Sequence, residues 1–469
     1  MSETINQTLS PDQATTLLEA QQAYFQQQHT RDLSFRKRQL QKLLQAVENF
    51  EPELTEAVQR DFRKSTFETF ITEIGMLKVE IKHALKHLKK WTKPQVQGGL
   101  SLVNFPARNF LYQEPLGVSL IIAPWNYPIL LALSPLIGAI AAGCCAVIKP
   151  SELTPHTSAV LKRLITSTFL PEYISLVEGG AETASELLSM PFNHIFFTGS
   201  SKVGQIVAKA AAEQMIPATL ELGGKSPVIV HRDADIEVAA RRVVWGKFLN
   251  AGQTCVAPDY VLVHREVHDA FVEALQVEVI KAYGDNIQQN EDYPRIISNK
   301  HYKRLEAMLQ PDKVAFGGVC DELDLYISPT VMVGVAVEDA VMQEEIFGPV
   351  LPILSYDGIN EIAPILNKLS HPLAFYVFSE NRHFTNYFIE NFPFGGGCIN
   401  DVVAHLAEQQ LPFGGMGKSG YGQYHGRYSV EAFSHRKGVM KKPTFLDVPF
   451  RYAPYGGKLK LMRQLFQWF

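Results

Sequence analysis

The apolar positions of the chain change their period along its length, and the first stretch is helical. Ser10-Pro11-Asp12-Gln13 predicts a helix start, with Ser10 as cap, Pro11 at the first helical position and Gln13 completing a capping box. Leu40, Leu43, Leu44 and Val47 fall on one helical face, and Phe67, Phe70, Ile71, Ile74, Leu77 and Ile81 on another. Gly98 and Gly99 break this pattern. Beyond them, Leu100-Ser101-Leu102-Val103 and Phe110-Leu111-Tyr112 read as two strands turning at Pro106. They belong to no strand–helix alternation, so they are expected to pack apart from the main sheet, for instance against another subunit.

From Gly117 the pattern becomes α/β. Val118-Ser119-Leu120-Ile121-Ile122-Ala123 is a mostly apolar strand, of the kind buried on both faces of a parallel sheet. A helix over 130–141, a strand over 144–148, a helix over 157–167, a strand over 174–177, a helix over 183–188 and a strand over 194–197 come next. This alternation predicts a doubly wound nucleotide-binding sheet, with Cys144 and Cys145 in its core. A fresh series begins at Val228: a strand over 228–230, a helix over 236–248, a strand over 260–263 and a helix over 267–279, with later strands over 374–378 and 397–399. The longest apolar stretch, from Ile129 to Ile148, is cut by Ser134, Pro135, Gly138 and Gly143. It reads as a buried helix–strand passage and not as a membrane span.

A chain of 469 residues exceeds one ordinary core, so two or three domains are expected. Apolar residues at 46% and charged residues at 20% describe a soluble globular protein. The net charge of -4 leaves no basic excess to displace counterions, which argues against nucleic acid as a partner. The 5 cysteines form no CxxC pair, so neither a disulfide frame nor a zinc ribbon is indicated. A reducing, cytoplasmic location fits, and the polar, Gln-rich residues 1–30 lack the apolar core of a signal peptide. His83 and His87 have a spacing that metals can use, but Lys82, Lys86, Lys89 and Lys90 make that face a solvated basic one; no HExxH occurs and no metal is expected.

The candidate chemistry centres on Gly252-Gln253-Thr254-Cys255-Val256-Ala257-Pro258-Asp259, a connection between helix and strand where reactive side chains are commonly displayed. A thiol reacts as thiolate, so its surroundings decide what Cys255 does. Leu220-Glu221-Leu222-Gly223-Gly224-Lys225-Ser226-Pro227 sets a carboxylate beside a glycine pair able to turn tightly. Glu344-Glu345-Ile346-Phe347-Gly348-Pro349-Val350 offers a second acidic block. Phe197-Thr198-Gly199-Ser200-Ser201-Lys202-Val203-Gly204 runs from strand through a glycine turn into a helix, whose free N–H groups suit a pyrophosphate. Ser201 breaks the GxGxxG fingerprint, and Gln205-Ile206 excludes a Walker loop. The triplets Gly224-Lys225-Ser226 and Gly417-Lys418-Ser419 lack the upstream glycine of a phosphate loop. Lys149 and the segment Pro124-Trp125-Asn126-Tyr127-Pro128 stand at strand carboxyl ends, where such sheets bind ligands.

The blocks GQTC, LELGGKSP and EEIFGPV together resemble the signature blocks of the NAD(P)-dependent aldehyde dehydrogenases, and FTGSSKVG resembles that family's cofactor-contacting segment. The resemblance runs from about Phe35 to Tyr455. Ile399 to His405, Leu411 to Gly422, Tyr424-His425-Gly426 and Phe433-Ser434-His435 resemble its class-three branch, the fatty and aromatic aldehyde dehydrogenases. The resemblance implies NAD or NADP, held by Trp125, Lys149, Glu152, Thr198, Gly199, Ser200, Val203, Gly204, Leu222, Glu345 and Phe347. Lys149 and Glu152 would bond the adenosine ribose, and Glu152 would favour NAD. Cys255 would attack the aldehyde, with the Asn126 side chain and the Cys255 backbone N–H as oxyanion hole. Glu221 and Glu345 compete as the base that deacylates the thioester. Family precedent gives that role to Glu221 and the nicotinamide ribose to Glu345, and the sequence leaves the two open. A carboxylate product is expected. The alternatives are a variant acylating coenzyme A, against which Glu221 argues, a non-catalytic cofactor-binding structural protein, and a cysteine hydrolase. The last needs a histidine that none of the three signature blocks supplies; His405 resembles a substrate-pocket position.

The implied fold is α/β. It has a Rossmann-like NAD(P)-binding domain (1–95 and 116–225), an α/β catalytic domain (226–432), small β bridging or oligomerisation elements (96–115 and 433–455) and a tail (456–469). A homodimer is expected. The tail is a short amphipathic piece where fatty aldehyde members carry an anchor. It is expected to pack on its own protein or on a partner subunit, with contact to a membrane surface as the alternative.

Overall fold

The computed structural model describes residues 11–98, 104–369, 371–447 and 451–467. The expected cap Ser10 and the expected strand over 100–103 lie outside the described residues. The alternating half of the chain forms a six-stranded sheet in the order Gly420–Tyr421, Ala218–Glu221, His194–Thr198, Val118–Ile122, Cys145–Lys149, Ile174–Leu176. All its neighbours are parallel except Gly420–Tyr421. Val118–Ile122, Cys145–Lys149 and His194–Thr198 are buried at every position, which is why they read as unbroken apolar runs. Strand order reverses between Val118–Ile122 and His194–Thr198. The chain winds outward on one side through Ile174–Leu176 before returning to the other, so a crevice opens beyond the carboxyl ends of this pair.

The second series forms a seven-stranded sheet: Val314–Phe316, Thr330–Met332, Val350–Tyr356, Tyr260–His264, Pro227–Val230, Ala374–Phe378, Gly396–Ile399. Only the edge strand Val314–Phe316 is antiparallel. The three motif blocks lead into this sheet from its amino ends: Gly223-Gly224-Lys225 before Pro227–Val230, Cys255 before Tyr260–His264, and Glu345-Ile346-Phe347 before Val350–Tyr356. The crevice therefore lies between carboxyl ends of one sheet and amino ends of the other. Gln95–Gln97, Arg108–Pro115 and Ser434–Lys441 make a separate three-stranded antiparallel sheet, paired from Ser434 with Pro115 to Lys441 with Arg108.

The strand Gly420–Tyr421 extends the first sheet, because Gly420, at φ +128, lets the backbone lie against Leu220, whose carbonyl an added Cβ would meet at 2.0 Å. One expectation is corrected. The face from Phe67 to Ile81 is not one face. Thr66–Thr69 is α-helical, Phe70–Ile74 winds as a π-turn, and Gly75–Thr92 is α-helical again. The extra residue in a π-turn rotates the helix before it relative to the helix after it. Ile74, Leu77 and Ile81 are buried, whereas Phe67, Phe70 and Ile71 are exposed and Glu68, Thr69, Thr72 and Glu73 face inward. The tail helix Lys458–Leu465, reached through Gly456 and Gly457, leaves Leu459 and Leu461 exposed. Among the described residues no helix is long and apolar enough to cross a membrane.

Candidate active site

Cys255 is delivered by an irregular turn. The helix Ile236–Phe248, capped by Asp235 on the Val238 N–H (3.0 Å), ends where the strand-bound chain must reverse. It does so through Asn250, Ala251 and Gly252, all left-handed at φ 54°, 51° and 75°. A Cβ on Gly252 would meet the Gly348 carbonyl at 2.2 Å, so the cysteine and EEIFGPV blocks touch backbone to backbone. Gln253 anchors the end of this turn: its Nε2 donates to Arg295 O (3.0 Å) and its Oε1 accepts from Ile297 N (3.0 Å). The loop after Val118–Ile122 is tied to the same turn. Asn126 Nδ2 donates to Gln253 O at 3.0 Å, and the Tyr127 hydroxyl meets Thr254 Oγ1 at 2.6 Å.

A cavity of about 360 Å³ brings most of the expected residues together: Cys255, Asn126, Glu221, Trp125, Thr198, Gly199, Ser200, Leu222, Glu345 and Phe347 all line it. Phe347, at φ 49°, sets its ring edge-on to Trp125 at 5.3 Å. Lys149, Glu152, Val203 and Gly204 do not line this cavity. Lys149 pairs with Glu152 at 3.0 Å beyond the neighbouring strand end, and Val203 is exposed on the first turn of Ser201–Glu213. Gly204 lets that helix close on Leu222, whose Cδ2 an added Cβ would meet at 2.5 Å. His301 and Arg304, which no sequence motif marks, complete the wall. His301 packs against the Trp125 ring at 5.1 Å, and His405 lies elsewhere, 3.5 Å from Cys398 Sγ.

The acidic groups are held out of water. Glu221 is buried with neither oxygen partnered, and burial pushes its carboxyl well above the usual carboxylate range. Burial first, then repulsion from Asp259, raises Glu345 to about 8, against which the Gly224 N–H pulls. Glu345 lies over Gly223, where a Cβ would meet Oε2 at 1.8 Å, so that glycine is required. The Cys255 thiol is pushed up to about 12, by burial and then by Glu345 and Glu221. The sulfur therefore sits between two buried carboxyl groups, and burial favours the protonated form of all three. Asn126 spends one of its two amide hydrogens on Gln253 and carries a second donor.

Lys225, the lysine of the first rejected phosphate-loop triplet, is consumed in holding the site. Its buried Nζ pairs with Asp259 and donates to Val341 O (3.0 Å) and Glu344 O (3.0 Å), while Asp259 Oδ1 accepts from Ile346 N (2.9 Å). Three motif blocks are thus fastened by one ion pair. From far upstream, Glu68 Oε1 accepts the Asn250 N–H at 2.8 Å. No local pattern marks Glu68.

The residues fit a dinucleotide. Thr198 Oγ1 and Glu345 Oε1 are buried without partners and line the cavity, polar atoms that a polar ligand would satisfy. The amino end of Ser201–Glu213, capped by Ser200, lines the same space with Ser200, Ser201 and Lys202, and a helix amino end favours an anion.

Comparison with known proteins agrees with this geometry. The model of the aldehyde dehydrogenase family matches residues 4–439. The chain is 48% identical over 447 residues to 4,4'-diaponeurosporen-aldehyde dehydrogenase of Staphylococcus aureus, covering 95% of this chain and 97% of that one. It is 42% identical over 442 residues to aldehyde dehydrogenase family 3 member H1 of Arabidopsis thaliana, covering 93% and 91%. A solved structure of Staphylococcus aureus AldH in a substrate-bound state superposes with a TM-score of 0.94 at 48% identity, over 96% of this chain and 99% of that one. A match along nearly the whole chain, through every motif that meets at the cavity, places this protein in the aldehyde dehydrogenase family, among class-three-like members, with the family's NAD(P)-dependent oxidation of aldehydes as its activity.

Proposed function

We propose that this chain oxidises its aldehyde to the carboxylate through a thioester on Cys255 that water hydrolyses. The observation that carries the reading is the meeting of Cys255, Asn126, Glu221 and Glu345 in one cavity with the turn Thr198-Gly199-Ser200. Cys255 Sγ adds to the carbonyl carbon as its proton passes to a neighbouring carboxylate. The charge that develops on the carbonyl oxygen is received by the free amide hydrogen of Asn126 and the Cys255 backbone N–H, a stabilisation of roughly 3 kcal/mol for each good donor. NAD(P), when bound, supplies the acceptor for the hydride that leaves the thiohemiacetal carbon. Glu221 then takes a proton from the water that cleaves the thioester. Its two unpartnered oxygens and raised proton affinity suit a base of this kind, whereas Glu345 is engaged by Gly224 and is assigned to the nicotinamide ribose.

Trp125, Thr198, Gly199, Ser200, Val203, Gly204, Leu222 and Phe347 would hold the rest of the cofactor, with Lys149 and Glu152 at the adenosine ribose. In this reading the six-stranded sheet with its N-terminal helices is the cofactor domain and the seven-stranded sheet the catalytic domain. The strand Ser434–Lys441, at the edge of its sheet among the described residues, is assigned as the bridging element of a homodimer in the cytoplasm. Trp125, Leu131 and Phe347 on the cavity wall favour an aldehyde with an apolar body, in keeping with the relative named for 4,4'-diaponeurosporen-aldehyde. The exposed Leu459 and Leu461 of the tail are assigned to a partner subunit, with a membrane surface as the alternative.

The test is Glu221→Gln under rapid mixing with aldehyde and NAD and no added thiol. A burst of about one NADH per active site followed by slow turnover is expected, because a base used after hydride departure leaves the earlier step intact. Normal steady turnover in this variant would overturn the assignment of the base. A wild-type enzyme that turns over only when a thiol acceptor is supplied would overturn hydrolytic deacylation.

A further inference from the structure

The left-handed turn ahead of Cys255 is unfavourable by itself. Asn250 and Ala251 carry side chains at φ 54° and 51°, where each L residue costs roughly 1–2 kcal/mol. Such backbone persists only where its surroundings over-determine it. Part of the restraint is local: Gln253 Nε2 donates to Asn250 O at 3.1 Å. The rest comes from the N-terminal helices. Glu68, buried, accepts the Asn250 backbone N–H at 2.8 Å. The Asn250 side chain, held in place by that contact, donates to Asn126 O (2.8 Å) and Gln253 O (3.2 Å). One carboxylate therefore sets, through one asparagine, the backbone on both sides of the reacting atoms: Asn126, which carries the amide donor, and Gln253, two residues before the thiol.

The π-turn explains how Glu68 reaches this position. Glu73 Oε2 accepts the N–H groups of Ile129 (2.8 Å) and Leu130 (3.2 Å), just past Asn126, and its Oε1 takes Lys64 Nζ at 2.9 Å. Residues five apart on an α-helix point about 140° away from one another. The π-turn at Phe70–Ile74 brings Glu68 and Glu73 to the same inward side, one on each active-site loop. The same winding leaves Phe67, Phe70 and Ile71 in solvent.

We propose that Glu68 is a positioning residue for aldehyde oxidation: its carboxylate clamps the left-handed Asn250-Ala251-Gly252 turn, through which Cys255 and Asn126 are held in register. The proposal rests on the reading of Cys255 as nucleophile and Asn126 as donor. It is tested by single-turnover NADH formation with enzyme in excess over aldehyde, alongside NAD affinity from tryptophan fluorescence and melting temperature. Glu68→Ala is expected to slow the single turnover about 10- to 100-fold, as a small displacement of reacting groups does, with NAD affinity within about twofold of wild type. Glu68→Gln keeps an acceptor oxygen for the Asn250 N–H and is expected to stay within about threefold. A role in stability alone would lower the melting temperature and leave the rate per active site unchanged. A Glu68→Ala rate within twofold of wild type, or a Glu68→Gln rate as low as that of Glu68→Ala, overturns the proposal. Should Glu68→Ala fail to fold, Asn250→Asp serves instead: it keeps the backbone N–H and the volume but turns an oxygen toward two carbonyls. A wild-type rate in that variant overturns the proposal equally. Cys255→Ser run in parallel separates the two layers, since retained oxidation there brings down the nucleophile reading and this proposal with it.

Discussion

Lys149 and Glu152 face each other at 3.0 Å beyond the end of Cys145–Lys149, but their surroundings differ. The Lys149 side chain is only 4% exposed, whereas that of Glu152 is 49% exposed and free to meet a ligand from solvent. In the proposed reading an exposed carboxylate there would accept a ribose hydroxyl and repel a phosphate in its place. Glu152→Gln should therefore shift the ratio of kcat/KM for NADP over NAD upward by about tenfold, the change that roughly 1.4 kcal/mol produces. An unchanged ratio would mean that Glu152 points away from the ribose. Single residues such as Cys255, Asn126 and Glu221 were legible in the sequence because each sits inside a contiguous block. Their electrostatic state was not. Burial, and then two carboxyl groups brought in from elsewhere in the chain, push the Cys255 thiol up to about 12.

At the scale of elements, the buried pair Lys225–Asp259 joins LELGGKSP, the cysteine block and EEIFGPV before each enters its strand. Removing one member leaves the other charged and desolvated, at a cost of about 3–5 kcal/mol, while removing both is far milder. Lys225→Met and Asp259→Asn should each lower the melting temperature and the oxidation rate, and the double variant should recover much of the lost stability. Equal losses in all three proteins would show that the pair does not act as a unit. The strand and helix alternation was legible because buried parallel strands are continuous apolar runs. The π-turn at Phe70–Ile74 was not. Phe67, Phe70 and Ile71 obey a helical period, and nothing local shows that Glu68 and Glu73 turn inward in their stead.

For the molecule as a whole, buried ionisable groups set how stability responds to pH. Glu80, on the helix Gly75–Thr92, is buried with Oε1 unpartnered, and burial raises it to about 8 while Ser134 nearby pulls the other way. The unfolded carboxyl titrates near 4.5. Its contribution is thus fully present below about pH 4.5 and is lost as pH rises toward about 8, by at most about 1.4 kcal/mol per pH unit. Glu80→Gln should accordingly raise the melting temperature at pH 8 and leave it unchanged near pH 4.5. An equal effect at both values would show that Glu80 is ionised throughout. The buried His194 and His425 and the half-buried His405, lowered by burial to about 3, 3 and 4, act in the opposite sense: their contribution is present above pH 6.5 and is lost as pH falls toward 4 and below. Comparing Glu80→Gln with wild type at each pH cancels these terms.

The sequence by itself determined the α/β alternation, the two sheets and the blocks that carry Cys255, Glu221, Glu345 and Asn126, because period and motif are written in consecutive residues. Only the tertiary structure decided that Gly420–Tyr421 joins the first sheet, that Lys225 is spent on Asp259, and that residue 68 restrains the backbone at residue 250. These are contacts between segments far apart in the chain. They are selected by the burial of a charge or an N–H that must find its partner inside the folded protein, and no local spacing records where that partner will be.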